Sequence, residues 1–525
     1  MNLSQGYVVD LPYNSSFFKD ITPSYIRSLL LLKGMDLPKR KEEEPFRYLE
    51  LGYGQGISLS VHAVSNEGEF YGTDFNPEHA IIAKKALHGT GVKTNILNDS
   101  FEELYNKSQN GLLPEFDMIV FHGIWSWIDR KNQDYILNII SKNLKVGGIV
   151  YVSYNAMPGW SSFMPVRELL FYHGESISAT QSSVAKIKNA YSFISQMEKC
   201  GASYFSQNPM ATQRLKNLEQ HSLSYLVHEY MNANWQILYF KDVANDMEKS
   251  KCSFFGSTRL LTQLSISLPP EILPILAETQ DVKLRETMRD FALNTQFRCD
   301  LFVKGKNILN TEEFNIEFYD QKFVLVVPIN LVKYEIQGLR GTMKCKEELY
   351  KPMVEFLSSK QHSPKSLGEI KALTVYKDMN ISNFTEIISV LLAANYIHPA
   401  IDASQESIKA CNKLNTFYCQ KSLLNNYTDV LASPVLGGAI NISRVEQMFL
   451  YFRENKSKTP NDYAEETFKQ LQSQEQSIVT DGKTLSEDEG KKHLQEIATK
   501  FENTTLPILK SLKVDIEVHK TRSWY

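Results

Sequence analysis

From Phe46 onward, short apolar runs of strand length alternate with stretches whose apolar residues recur every three or four positions, the pattern of a parallel sheet with covering helices. Strands are predicted at Arg47 to Leu51, Glu69 to Thr73, Lys93 to Leu97, Phe116 to Phe121 and Gly148 to Tyr154, and helices at Ile57 to Val64, Pro77 to Leu87, Phe101 to Asn106 and Gln133 to Leu144. The charged stretch Lys39 to Glu44 reads as a solvated loop. After Pro165 the strand signal stops, and to about Leu238 the spacing is mainly helical, with Leu169, Ile187, Tyr191 and Ile194 on apolar faces. Strand-like segments return at Cys252 to Gly256 and Phe297 to Val303, the first preceded by the amphipathic Val243 to Met247. These complete the sheet, so the helical segment interrupts a domain.

The pattern divides the chain into a core at 1–165, a helical insertion at 166–238, a sheet-completing segment at 239–305 and a mainly helical, separate region at 306–525. In that last region Phe314 to Val327 is predicted to be a strand, Leu494, Ile497 and Phe501 share a helix face, and the Gln/Ser/Glu-rich Gln470 to Glu489 is an exposed connection. Ser366 to Ala400 has the spacing of a helix-turn-helix or winged helix. Its candidate recognition helix, Ser382 to Asn395, contains Glu386 and no Lys or Arg, which favours protein docking over nucleic acid.

A length of 525 residues exceeds one core, and 42% hydrophobic with 22% charged residues is ordinary for a folded multidomain protein. A net charge of -3 gives no general attraction to nucleic acid or anionic lipid. The first residues lack a basic and then apolar leader, and no run reaches membrane-span length, so a soluble cytoplasmic protein without membrane insertion is expected. The six cysteines form no CxxC pair, and His228-Glu229 has Asn232 where a zinc protease needs its second His. No metal is assigned.

The strongest chemical signal is Tyr48-Leu49-Glu50-Leu51-Gly52-Tyr53-Gly54-Gln55-Gly56, an apolar strand entering a turn with glycines at alternate positions before a helix. Such a turn lets a ligand approach the backbone at a helix N-terminus. A dinucleotide fingerprint wants its third glycine where Ile57 stands, so the spacing favours a nucleoside without a pyrophosphate. Asp74, followed by Phe75 at the end of the second strand, can accept both ribose hydroxyl hydrogen bonds. Asp99-Ser100-Phe101 ends the third strand with an acceptor for an adenine amino group and an aromatic wall, and His122-Gly123 ends the fourth.

These stations resemble class I S-adenosylmethionine methyltransferases over about residues 46 to 160. The resemblance implies a Rossmann-like α/β fold and S-adenosylmethionine as cofactor. It places Gly52, Gly54 and Gly56 around the methionine moiety, Asp74 on the ribose and Asp99-Ser100 by the adenine amino group, with Glu50, Tyr53, Phe75, Phe101, His122 and Gly123 as further cofactor-binding residues. His122-Gly123-Ile124-Trp125-Ser126-Trp127, Ser153 to Trp160 and His228-Glu229-Tyr230-Met231-Asn232 look like methyltransferases with a methyltransferase regulatory domain, a likeness reaching about Val303. Length and arrangement are similar to rickettsial protein lysine methyltransferases acting on outer-membrane autotransporters. That implies a protein lysine substrate, the alternatives being a small-molecule or nucleic-acid methyltransferase, or a noncatalytic cofactor-binding scaffold.

On this reading Tyr154 and Trp160 flank the Pro158-Gly159 turn and line the lysine channel, and His122 is a candidate proton acceptor. Trp125 and Trp127 are further substrate-side candidates, and Tyr7 and Tyr13 could cover the site. The helical insertion needs a partner for its second apolar face, for which a homodimer is expected.

Overall fold

The structure is a computed structural model describing residues 6–517 except 9, 11–15, 42–43, 179, 339–340, 456–458 and 481. A helix α1 (Pro23–Leu31) precedes a chain that alternates β1 (Arg47–Leu51), α2 (Ile57–Ser65), β2 (Glu69–Thr73), α3 (Pro77–Leu87), β3 (Thr94–Leu97), α4 (Phe101–Gln109), β4 (Phe116–Phe121), α5 (Arg130–Asn143) and β5 (Leu144–Asn155). Local chemistry sets the helix starts. Asn76 accepts the Glu78 N–H ahead of Pro77, Ser100 and Glu103 form a reciprocal capping box, and Asp129 accepts the Asn132 N–H.

β6 (Cys252–Ser257) and β7 (Phe297–Lys304) complete a seven-stranded sheet of order β3-β2-β1-β4-β5-β7-β6. β7 runs antiparallel between β5 and β6, while the other neighbours are parallel. The fold is therefore the expected Rossmann-like α/β sheet of class I methyltransferases. Successive residues of each strand face opposite layers. Tyr48, Phe70, Val120, Tyr151 and Leu301 enter one core, whereas Leu49, Ile119, Val150 and Phe302 enter another with Ile136 and Ile140 of α5.

The segment between β5 and β6 contains helices at Met164–Ile177, Ser183–Lys199, Ser203–Gln207, Pro209–Asn217 and Leu223–Tyr230 before the sheet-covering helix Phe240–Lys249. They enclose their own core of Phe163, Leu170, Ile187, Ile194, Leu215 and Val227. The insertion thus hangs from the β5 end of the sheet.

The strand predicted at Phe314 to Val327 is a helix, Thr311–Asp320, followed by a short strand, Lys322–Leu325. Phe314, Ile316 and Phe318 alternate as in a strand, but Asn310 accepts the Glu312 and Glu313 N–H groups and Glu313 returns the bond, nucleating a helix. Lys322–Leu325 pairs antiparallel with Lys365–Ser366 and Ile397–Ala400. Between those two strands lie helices Leu367–Lys371 and Ile381–Ala393, a winged-helix-like order. The face of Ile381–Ala393 bearing Phe384, Ile387, Ile388 and Leu391 is buried in the core that Tyr48 and Phe70 enter from the sheet. Further along, helix Gln405–Ser422 packs Cys411, Leu414 and Tyr418 around Ile57, Val61 and Val64 of α2. The region expected to stand apart shares one apolar core with the seven-stranded sheet and another with α2 and α3. Among the described residues no helix is long and apolar enough to cross a membrane.

Candidate active site

At the carboxyl ends of the parallel strands a cavity of about 230 Å³ opens, where ligands of open α/β sheets bind. Three glycines shape its floor, and each has positive φ for a different reason. A Cβ on Gly52 would stand 2.2 Å from Ile124 Cδ1, and one on Gly56, the residue before α2, would stand 2.6 Å from Ala83 Cβ. A Cβ on Gly54 would meet nothing within 4 Å, because it would point into the cavity. The first and third glycines therefore close the turn and seat α2 on α3, and the second keeps the cavity open.

Asp74 organises the next station. Its Oδ2 accepts the Gly54 N–H at 2.9 Å and its Oδ1 accepts the Asn76 N–H at 2.9 Å, with His79 Nδ1 3.0 Å from Oδ1. The carboxylate ties the β1 and β2 tips together and keeps acceptor capacity toward the cavity. Tyr53 crosses to β3, donating to the Leu97 carbonyl at 3.0 Å. Asp99 pairs with Lys107 at 2.5 Å, while the Ser100 hydroxyl caps α4 and Phe101 lines the cavity wall. Glu50, 4% exposed, is pushed up to about 8 by burial, with Asp74 adding repulsion against a bond from Tyr48.

The rest of the cavity lining is built by segments far apart in sequence. Tyr7 packs edge-on to Phe75 with centroids 6.2 Å apart and tilts over His228 at 5.5 Å. Its strap is pinned by the Ala233 N–H to the Gly6 carbonyl at 2.9 Å and by the Val8 N–H to Asn232 Oδ1 at 2.8 Å. Phe18 enters from the same leading segment, donates its N–H to Ser58 at 2.9 Å and stacks on His122 at 3.8 Å. Asn155, at the tip of β5, is held by its N–H to Ser126 Oγ at 2.8 Å and by its carbonyl, which accepts the Leu238 N–H at 3.0 Å.

The expected cofactor stations Glu50, Gly52, Tyr53, Gly54, Gly56, Asp74, Phe75, Asp99, Ser100, Phe101, His122 and Gly123 all line this cavity, as do Tyr7 and Trp127. Four other expectations need correction or fall outside view. Tyr154 points away into a buried ionic cluster, donating to Asp300 Oδ2 at 2.7 Å. Trp160 belongs to the insertion core, where its Nε1–H meets the Gln296 carbonyl at 2.9 Å and its ring carries Arg214 at 3.4 Å. Trp125 is fully buried beside Phe121. Tyr13 lies outside the described residues.

His122 lines the cavity, but burial, with Arg259 nearby, lowers its imidazole to about 3. Such a ring is neutral and a poor acceptor for an ammonium proton. Its Nδ1 lies 2.8 Å from the Tyr151 hydroxyl, so with the Phe18 stack it fixes the β4 tip.

Sequence reasoning passed over Phe18, Asn155, Glu229, Asn234 and Phe297 as cavity residues. Glu229 sits in the last turn of Leu223–Tyr230, close enough to the Asn155 side chain to feel it, while the Asn155 amide nitrogen is buried without a hydrogen-bond partner among the described residues. The run His228 to Asn232 was itself a signal, since it stood out in the resemblance to regulatory-domain methyltransferases.

Comparison with known proteins agrees with this architecture. Residues 222–304 match the family described as "Predicted methyltransferase regulatory domain". The chain is 34% identical over 520 residues to Synechocystis protein sll1526, covering 98% of this chain and 100% of that one. It is 26% identical to Rickettsia prowazekii protein RP789 over 318 residues, 59% of this chain and 56% of that one. PKMT2 from Rickettsia typhi, solved in complex with AdoHcy, superposes with a TM-score of 0.68 at 20% identity, over 96% of this chain and 99% of that one. The chain belongs to the family of Synechocystis sll1526, with a class I S-adenosylmethionine methyltransferase fold and a methyltransferase regulatory domain.

Proposed function

We propose that this chain is an S-adenosylmethionine-dependent protein lysine N-methyltransferase. The observation that carries the cofactor half is Gly54, whose missing side chain leaves the cavity open while its N–H is fixed on Asp74. The residues fit the cofactor: Glu50 for an ammonium, Asp74 for ribose hydroxyls, and Asp99 with Phe101 for adenine. AdoHcy in the similarly folded PKMT2 supports the same choice. S-adenosylmethionine, when bound, supplies an electrophilic methyl carbon on a sulfonium. The chain's own part is to orient and desolvate the acceptor, and fixed geometry can account for roughly 7–11 kcal/mol of the barrier.

The lysine half is supported by the aromatic and acidic residues Tyr7, Trp127, Phe297 and Glu229 that line the cavity besides the cofactor stations. Aromatic faces tolerate a cation while excluding water. A surface or outer-membrane protein is the proposed substrate, with the C-terminal region docking it and methylation occurring in the cytoplasm. Transfer of labelled methyl groups to a panel of lysine-containing proteins, small amines and nucleic acids tests the proposal. Label on lysine is expected, and label confined to the other classes would overturn it.

A further inference from the structure

The cavity is lined by an acidic side chain, Glu229, to which the cofactor reading gives no role. Glu50 and Asp74 belong to the glycine turn and the β2 tip, whereas Glu229 comes from the regulatory-domain match and lines the same cavity. Its position is set by two long-range joints. The Leu238 N–H bonds to the Asn155 carbonyl, bringing the insertion's exit to the β5 tip, and the Gln236 N–H bonds to the Ser126 carbonyl at 2.8 Å, bringing it to the loop after β4. Glu229 is thereby brought near the side chain of Asn155, just beyond the two central strand tips.

Three features make this carboxyl a seat for a cation. It stands in the last turn of its helix, where the backbone carbonyl ends repel a second negative charge and attract a positive one. The cavity that it lines is also lined by the aromatic residues Tyr7, Trp127 and Phe297, whose rings tolerate a cation. The cations that reach it through space are otherwise engaged. Arg167 donates to the Asn232 carbonyl and lies 4.8 Å from the Trp235 ring centroid, and Arg214 lies over Trp160 and donates to Gln296 at 3.2 Å. No ion pair to Glu229 occurs among the described residues.

We infer that Glu229 binds the acceptor amine as an ammonium and takes one proton from it, making a primary amine the substrate class that this site selects. The transfer converts ammonium and carboxylate into neutral amine and carboxylic acid, leaving the nitrogen lone pair free for alkylation. Burial raises the Glu229 carboxyl to about 7, opposed by Arg214 and Arg167, which suits it to accept and later release a proton near neutral pH. Also in this lining are His228 and Tyr7, with Asp10 in turn close enough to feel His228. The inference rests on the S-adenosylmethionine reading of the cavity.

Sinefungin provides a test that needs no substrate protein. It shares the amino acid, ribose and adenine of S-adenosylhomocysteine but carries a primary amine on the carbon that replaces sulfur, where an acceptor amine would approach. Full-length protein is titrated with each ligand by calorimetry, and the ratio of their affinities cancels every contact they share. Sinefungin is expected to bind the unaltered protein about tenfold more tightly at pH 8, an advantage worth ~1.4 kcal/mol. That advantage should shrink as pH falls through the range in which Glu229 protonates. Glu229→Gln, nearly the same shape but uncharged, should abolish the advantage and its pH dependence while leaving S-adenosylhomocysteine affinity and thermal stability near those of the parent. If Glu229→Gln keeps the full sinefungin preference, Glu229 does not hold the amine and the inference is wrong. If neither ligand binds the parent protein, the cofactor reading itself fails.

Discussion

Tyr154 and Asp300 share a buried hydrogen bond of 2.7 Å across the β5–β7 pair, and Arg298 Nε reaches the same Asp300 oxygen at 2.7 Å. Arg298 also holds Asp290 at 2.7 Å and Glu286 at 3.3 Å, with Phe240 4.3 Å from its guanidinium. One guanidinium thus neutralises several carboxyls inside the regulatory segment, and Tyr154 anchors the cluster to the sheet. Tyr154→Phe should cost about 1.5–3 kcal/mol of stability, the range for a hydrogen bond to a charged group. Arg298→Met should cost about 3–5 kcal/mol because it strands buried carboxylates. Chemical denaturation gives both values. An unchanged denaturation midpoint for Tyr154→Phe, with impaired methyl transfer, would return Tyr154 to the substrate channel.

The glycine turn predicts a contrast between two alanine substitutions. Gly54→Ala places a methyl group in the cavity without touching protein atoms, so binding of S-adenosylhomocysteine should fall at least tenfold while stability drops by only about 1 kcal/mol for the left-handed backbone. Gly56→Ala drives its Cβ to 2.6 Å from Ala83 and should unseat α2 from α3, lowering melting temperature as well as affinity. Calorimetry and thermal unfolding on the two variants separate ligand space from packing. Equal loss of stability in both would contradict the division of labour.

Glu50 predicts a proton linkage. Its carboxyl is raised to about 8 in the ligand-free cavity, so the protonated form contributes stability that is present below the usual carboxylate range and lost as pH rises through about 8. A ligand ammonium beside Glu50 favours the ionised form and reverses the shift. Binding of S-adenosylhomocysteine at pH 7 should therefore release on the order of one proton. Calorimetry in buffers of different ionisation enthalpy reads that number directly. Glu50→Gln should remove the release, and a release unaffected by that change would place the proton elsewhere.

Much of this arrangement was legible where a local signal decides the matter. β2 and α3 fall where the apolar pattern put them because Asn76 and Pro77 set the helix start chemically. The nucleoside end was legible too, since each of its residues follows a strand within a few positions. The rest of the cavity lining was not. Tyr7, Asn155 and Glu229 meet only through bonds such as Val8 N–H to Asn232, joining residues 224 positions apart, and no periodicity encodes that distance. Tyr154 and Trp160 misled because their closeness to a strand tip says nothing about side-chain direction. Strand alternation sends Tyr154 away from the cavity while its neighbour Asn155 reaches it.

The helical insertion predicts self-association. Tyr172, Ile177, Phe193 and Met210 are 65%, 72%, 44% and 55% exposed although their helices bury the other face in a common core. A homodimer through this surface is expected in dilute-solution light scattering. Ile177→Asp with Phe193→Ser should give a monomer of unchanged thermal stability, and a monomeric parent protein would refute the prediction.

The C-terminal region should prove inseparable from the catalytic fold. Every residue of α2 is buried, and its outer face is covered by Gln405–Ser422, with Cys411 Sγ 3.5 Å from the Val64 carbonyl. Two further bonds fasten the same seam: Asn66 Nδ2 to the Gly437 carbonyl at 2.9 Å, and Ser24 Oγ to the Leu436 carbonyl at 2.6 Å. Because α2 begins at the glycine turn, losing that cover loosens the residues that shape the cofactor cavity. Leu414→Ala in the full chain should cost about 2–5 kcal/mol, as other buried leucine truncations do. A chain ending at Gly305 would expose Val61 and Val64 and should aggregate or fail to bind S-adenosylhomocysteine. A soluble 1–305 fragment with full-length affinity would show instead that the region is an appended docking module, and its role in choosing the protein substrate could then be measured by truncation alone.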